Sequence, residues 1–152
     1  MLGYQSADVD WLPEATVDSF AGTGNPFTLG RPHEDETVLD IGCGPGFDTL
    51  LAARQVGPAG TVIAVDMTEA MLEKTRAGAV SLGLDTVDVR QGSAEELPAD
   101  DVVISNGVIN LCPDKMAVMA DVYRVLRPGG RIQIVDIMVH SEVPQDAKDD
   151  IE

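Results

Sequence analysis

Thr37-Val-Leu-Asp-Ile-Gly-Cys-Gly-Pro-Gly46 is the stretch that decides the fold. A short aliphatic run passes straight into glycines at every second place, as when a strand delivers the chain into a sharp turn. Downstream, Thr61-Val-Ile-Ala-Val65, Thr86 to Arg90, Val102-Val-Ile-Ser105 and Ile132-Gln-Ile-Val-Asp-Ile137 repeat the strand signal. Continuous rather than alternating apolar runs suit strands buried on both faces of a parallel sheet. Helical stretches separate them. One lies around Phe47 to Val56 and is closed by Gly57-Pro58-Ala59-Gly60. The next is capped by Thr68, turns Met71, Leu72, Thr75, Ala79 and Leu82 to one face and stops at Gly83. The last starts with Pro113 and Asp114, presents Val118, Val122, Val125 and Leu126 inward, and ends at Pro128-Gly129-Gly130. This alternation predicts an α/β protein with a Rossmann-like open, mostly parallel sheet flanked by helices and right-handed crossovers. Residues 1–35, with turns at Gly22-Thr-Gly24-Asn-Pro26 and Gly30-Arg-Pro32, read as an N-terminal helical, lid-like segment before a single domain over 36–152.

The 152 residues, 44% hydrophobic and only 4% aromatic, are enough for one aliphatic core. Ten Lys and Arg against 26 Asp and Glu leave a net charge of −16, which repels phosphate backbones and anionic membranes. Nucleic acid and membrane are therefore not expected partners. The N-terminus has no basic start or apolar run, and no stretch reaches the ~20 apolar residues of a span, so a cytoplasmic protein is expected. Cys43 and Cys112 are too few for a disulfide framework and are not spaced as a zinc site. They read as small buried thiols, and no metal ligand set is expected.

In an open α/β sheet, ligands bind beyond the carboxyl ends of the strands. Gly42, Gly44 and Gly46 sit at such an end, where they serve either a tight turn or the close approach of a ligand. Two acids bear on the choice. Asp40 precedes the loop, where a carboxylate attracts a cation and repels a pyrophosphate, and Asp66 ends the second strand 24 residues after Gly42, within reach of ribose hydroxyls. The loop also departs from the dinucleotide pattern G-x-G-x-x-G, because Gly46 comes one place early and Phe47 takes the last position. A sulfonium ligand is favoured over a nicotinamide one.

These ten residues resemble the first motif of class I S-adenosylmethionine-dependent methyltransferases, and Leu126-Arg-Pro-Gly-Gly130 resembles their late motif. The resemblance implies that Asp40 with Gly42 and Gly44 holds the amino acid end of S-adenosylmethionine, that Cys43 and Gly46 of the same loop also belong to the cofactor site, that Asp66 holds the ribose and that Met67 packs on adenine. Gly92-Ser-Ala-Glu-Glu96 matches the family's adenine contact with Ser93 in place of an acid, leaving a backbone contact from Ala94. Asn106, at the end of the fourth strand, is placed to line the pocket or to satisfy local turn groups.

Within the superfamily, Val65-Asp-Met-Thr-Glu-Ala-Met-Leu72, Gly24-Asn-Pro26 and Ile104-Ser-Asn-Gly-Val-Ile-Asn-Leu-Cys-Pro-Asp-Lys115 are similar to the arsenite methyltransferase branch. That branch carries arsenic-binding cysteines where this chain has Thr23 and Gly107. The implied function is methyl transfer to a small molecule or metalloid. The alternative is an S-adenosylmethionine-binding module without independent activity. The superfamily sheet continues past its fifth strand, so this chain reads as truncated there, and an exposed fifth strand invites pairing as a homodimer. Methyl transfer from a sulfonium needs positioning more than proton transfer, and His33 and His140 sit in no motif, so no catalytic residue is named.

Overall fold

The computed structural model describes residues 2–92 and 100–138. Its centre is a five-stranded parallel sheet of β1 (Thr37–Ile41), β2 (Thr61–Asp66), β3 (Val87–Gln91), β4 (Asp100–Asn106) and β5 (Leu126–Val135), in the order β3-β2-β1-β4-β5. Leu39 stands between Ile63 of β2 and Val103 of β4, so the apolar runs seen in the sequence lie side by side. Successive side chains of a strand point to opposite faces, and both faces are covered. Val38, Val62, Val102 and Ile104 pack under α3 (Phe47–Val56), while Leu39, Ile63 and Val103 meet Val122 and Val125 of α5 (Lys115–Val125). Each such aliphatic side chain contributes about 1.5–3 kcal/mol by leaving water.

The N-terminal segment is docked on this core. Its helices α1 (Ser6–Trp11) and α2 (Glu14–Asp18) and a 3-10 turn (Pro26–Leu29) bring Tyr4, Leu12 and Phe27 into the cluster that holds Val38 and Leu50. The Gln133 amide of β5 donates to the carbonyls of Pro26 and Gly30, tying the 3-10 turn to the sheet. The segment thus buries its apolar residues against the sheet's own core.

Two helix ends depart from the sequence reading, one in its cap and one in its boundary. Helix α4 (Glu69–Ser81) does begin after Thr68, but the Thr68 side chain makes no cap bond; the Asp66 carboxylate instead accepts from the Thr68 backbone N–H at 2.9 Å. At α5, Asp114 does cap, accepting from Ala117 N–H at 2.9 Å. Asp114→Ala should therefore cost about 1 kcal/mol in urea unfolding and Thr68→Ala no more than a few tenths. Equal losses would mean the two caps work alike. The other departure is the end of α5, which stops at Val125, ahead of Pro128-Gly129-Gly130. Those residues bulge out of β5 between the pairs Asp100–Leu126 and Val102–Arg131, with Gly129 at φ +83°. No helix among the described residues is long and apolar enough to cross a membrane.

Candidate functional site

Strand order reverses about β1, whose neighbours β2 and β4 run outward to opposite edges, and a crevice opens beyond their carboxyl ends. The glycine loop forms one side of it. Gly42, at φ +69°, leaves no room for a side chain, since a Cβ would fall 2.4 Å from Val108 Cγ2. Gly44, at φ +54°, is the opposite case: a Cβ would meet nothing within 4 Å, so the backbone presents itself bare to the crevice. Gly46, at φ +90°, starts α3 and faces Thr75, which makes it a packing glycine.

The cavity of about 180 Å³ is lined by Asp40, Gly42, Cys43, Gly44, Asp66 and Asn106, all expected from the sequence. Phe20, Gly22, Phe47, Asp48, Gly107 and Val108 complete most of the wall. Gly46 stands outside the lining, and Met67, next to Asp66, is 83% exposed and does not contribute. Ser93 and Ala94 lie outside the described residues. The carboxylate of Asp66 braces the loop, accepting from Gly44 N–H at 2.9 Å through one oxygen and from Thr68 N–H through the other. A carboxylate oxygen has a second lone pair, so both remain able to accept from a ligand hydroxyl.

Asp40 is almost fully buried at the foot of the cavity and is not a loop-surface carboxylate. Its Oδ2 accepts from Thr49 Oγ1 at 2.6 Å. Burial drives its pKa upward, the nearby Asp48 charge adds to that rise, and the Thr49 bond offsets part of it. Asp48 is also buried and also raised by burial, less so because Tyr4 and Asn106 donate to it. Tyr4 Oη lies 2.5 Å from one Asp48 oxygen, and Asn106 Nδ2 donates to the other at 3.0 Å. Burial, then the Asp48 charge, pushes the Tyr4 phenol upward, so it stays protonated. The Cys43 thiol is likewise raised by burial and by Asp40, and it faces Thr75 rather than a second sulfur.

Asn106 lines the cavity, and the backbone groups it satisfies belong to the distant N-terminal segment rather than to a local turn. Its Oδ1 accepts from the backbone of Thr23 at 2.8 Å and of Gly24 at 3.3 Å, and its Nδ2 donates to the Gly24 carbonyl at 2.7 Å. It lines the cavity and pins the N-terminal segment over it. The same clasp brings Thr23 against Gly107, where a Cβ added to Gly107 would sit 3.2 Å from Thr23 Cγ2. The sequence reading missed Tyr4 and Asp48. Asp48 carried a signal, as an acid in the first turn of a helix that opens on the glycine loop, whereas Tyr4 carried none.

Comparison with known proteins follows the same lines. Residues 32–152 match a family model described as a methyltransferase domain. An arsenite methyltransferase of Halobacterium salinarum is 44% identical over 153 residues, covering 98% of this chain and 39% of its own length. A nocamycin O-methyltransferase of Saccharothrix syringae is 44% identical over 108 residues, 68% of this chain and 39% of its own length. Among solved structures, an arsenic(III) S-adenosylmethionine methyltransferase from Chlamydomonas reinhardtii superposes with a TM-score of 0.82 at 37% identity, covering 94% of this chain and 52% of that one. The chain thus spans about two-fifths of the length of the curated relatives named above.

Proposed function

The chain belongs to the methyltransferase domain family, and from that membership we propose that its crevice binds S-adenosylmethionine and delivers the methyl group to a small-molecule or metalloid acceptor. One observation carries the reading: the cavity joins three carboxylates, Asp40, Asp48 and Asp66, to the bare backbone of Gly44, and no Lys, Arg or His lines it among the described residues. That set of acceptors suits a ligand bearing cationic centres and hydroxyl donors, and it repels the pyrophosphate of a dinucleotide.

In this reading the acids on β1 and α3 face the amino acid end of the ligand, and Asp66 accepts from the ribose hydroxyls. At about 180 Å³ the described cavity falls below the ~300 Å³ at which small-molecule pockets begin. It therefore takes the amino acid and sulfur end, and the base lies beyond Asp66, toward Met67. When bound, S-adenosylmethionine supplies a methyl group on a sulfonium, open to in-line attack. The protein's part is to hold that methyl against the acceptor and exclude water, which Phe20, Phe47 and Val108 do as apolar walls.

The acceptor enters between Asn106 and the Thr23–Gly107 contact. A hydroxyl and a hydrogen there offer no soft ligation, which weakens arsenite as a substrate and favours an oxygen or nitrogen nucleophile. The test is calorimetry with S-adenosylmethionine followed by product detection with arsenite and with small hydroxyl and amine acceptors. Binding and a methylated product of either kind supports the proposal; no binding overturns it.

We further place the protein in the cytoplasm, bound to neither membrane nor nucleic acid, in keeping with its charge of −16, and divide it at residue 36. A homodimer is supported by β5, which stands at one edge of the described sheet. Light scattering of the same preparation decides it, a monomeric mass removing the dimer.

A further inference from the structure

The Asp40–Asp48 pair is the feature the fold does not need. Two acids from separate elements, the end of β1 and the first turn of α3, line one small cavity while each is nearly excluded from water. Burying like charges together is unfavourable unless a cation or a proton stands between them. No protein cation does so among the lining residues. The acids are also treated differently. Asp48 is clamped through both oxygens by Tyr4 and Asn106, which stabilise its ionised form, whereas Asp40 has Thr49 alone. The groups that face the pair are Tyr4 from the N-terminal segment, Cys43 from the glycine loop and Asp66 from β2, all neutral or negative. A proton shared by the pair therefore resides on Asp40, with Asp48 as the standing charge.

We propose that Asp48, clamped by Tyr4 and Asn106, completes with Asp40 a paired-carboxylate seat for the ammonium group at the amino acid end of the ligand, and that seating this cation expels a proton from the pair. The proposal rests on the S-adenosylmethionine reading and deepens it. An ammonium between two carboxylates favours their ionised forms, so the shared proton leaves to solvent as the cation arrives, and charge in the cavity is conserved. Asp48 is a binding residue in this scheme, and Tyr4 and Asn106 are positioning residues acting through it.

The experiment compares two probes that share adenine, ribose and sulfur. S-adenosylhomocysteine carries the ammonium, and methylthioadenosine does not. Calorimetry at pH 7 in buffers of different ionisation enthalpy counts the protons exchanged on binding. S-adenosylhomocysteine should release up to about one proton per site, because the pair shares one, and methylthioadenosine none. Asp48→Asn should cut that release by at least half and weaken S-adenosylhomocysteine about tenfold, the order expected for one lost charged hydrogen bond, while leaving methylthioadenosine affinity unchanged. The second ligand thus certifies that the variant is folded. Equal proton release by both ligands, or an equal loss of affinity for both in Asp48→Asn, overturns the seat while leaving the cofactor reading intact. Failure of the native protein to bind either ligand overturns the cofactor reading itself.

Discussion

Asp66→Ala should weaken S-adenosylhomocysteine binding about 30- to 700-fold, corresponding to the loss of about 2–4 kcal/mol when two charge-assisted hydrogen bonds disappear. The carboxylate has two tasks at one place. It accepts from Gly44 and Thr68 N–H, which holds the bare turn of the glycine loop against the end of β2, and it is left with lone pairs directed at the crevice. Alanine removes both, so the loop loosens as the ligand loses its anchor. Asp66 is only partly buried, and global stability should change far less than affinity. Calorimetry and a urea unfolding curve on the same variant separate the two quantities. Unchanged affinity would place the ligand elsewhere.

Phe47→Ala is the matching prediction for stability, with an expected cost of about 3–5 kcal/mol in urea or guanidinium unfolding, the usual range for removing a buried aromatic ring. Phe47 is 1% exposed. Its ring stacks on Phe20 at 4.0 Å between centroids and meets the edge of Tyr4 at 4.8 Å, with Tyr4 and Phe20 themselves 5.8 Å apart. The two contacts of Phe47 fasten the N-terminal segment to the start of α3, so their loss should also speed proteolysis between Phe20 and Gly24. A cost below about 1 kcal/mol, well short of that range, would mean that the aromatic trio is not a packing unit. In that case the clasp by Asn106 and the Gln133 bonds to Pro26 and Gly30 hold the segment.

Much of this was legible from the chain. The strand at Thr37–Ile41 and the helix at Phe47–Val56 fall where their apolar runs and flanking glycines put them, because period and punctuation are local properties. The α5 boundary was misread for an equally local reason. Pro128-Gly129-Gly130 looks like a helix stop, but the pairing of β5 with β4 extends the chain from Leu126 onward and uses the glycines for a bulge. Thr68 misled in a related way: it does stand at the N-cap position of α4, but its side chain makes no cap bond.

For the site, the sequence by itself determined the glycine loop, Asp40 and Asp66, because residue type and spacing along one strand–turn–helix unit fix which groups reach the end of the sheet. It also identified Thr23 and Gly107 as departures from a related pattern, without placing them together. Tertiary structure alone decided that Tyr4, Asp48 and Asn106 are bonded to one another across separations of 44, 58 and 102 residues. It alone made Asp40 a buried acid paired with a second one. Burial and charge coupling depend on which atoms the fold brings into a water-poor space, and no local pattern records that.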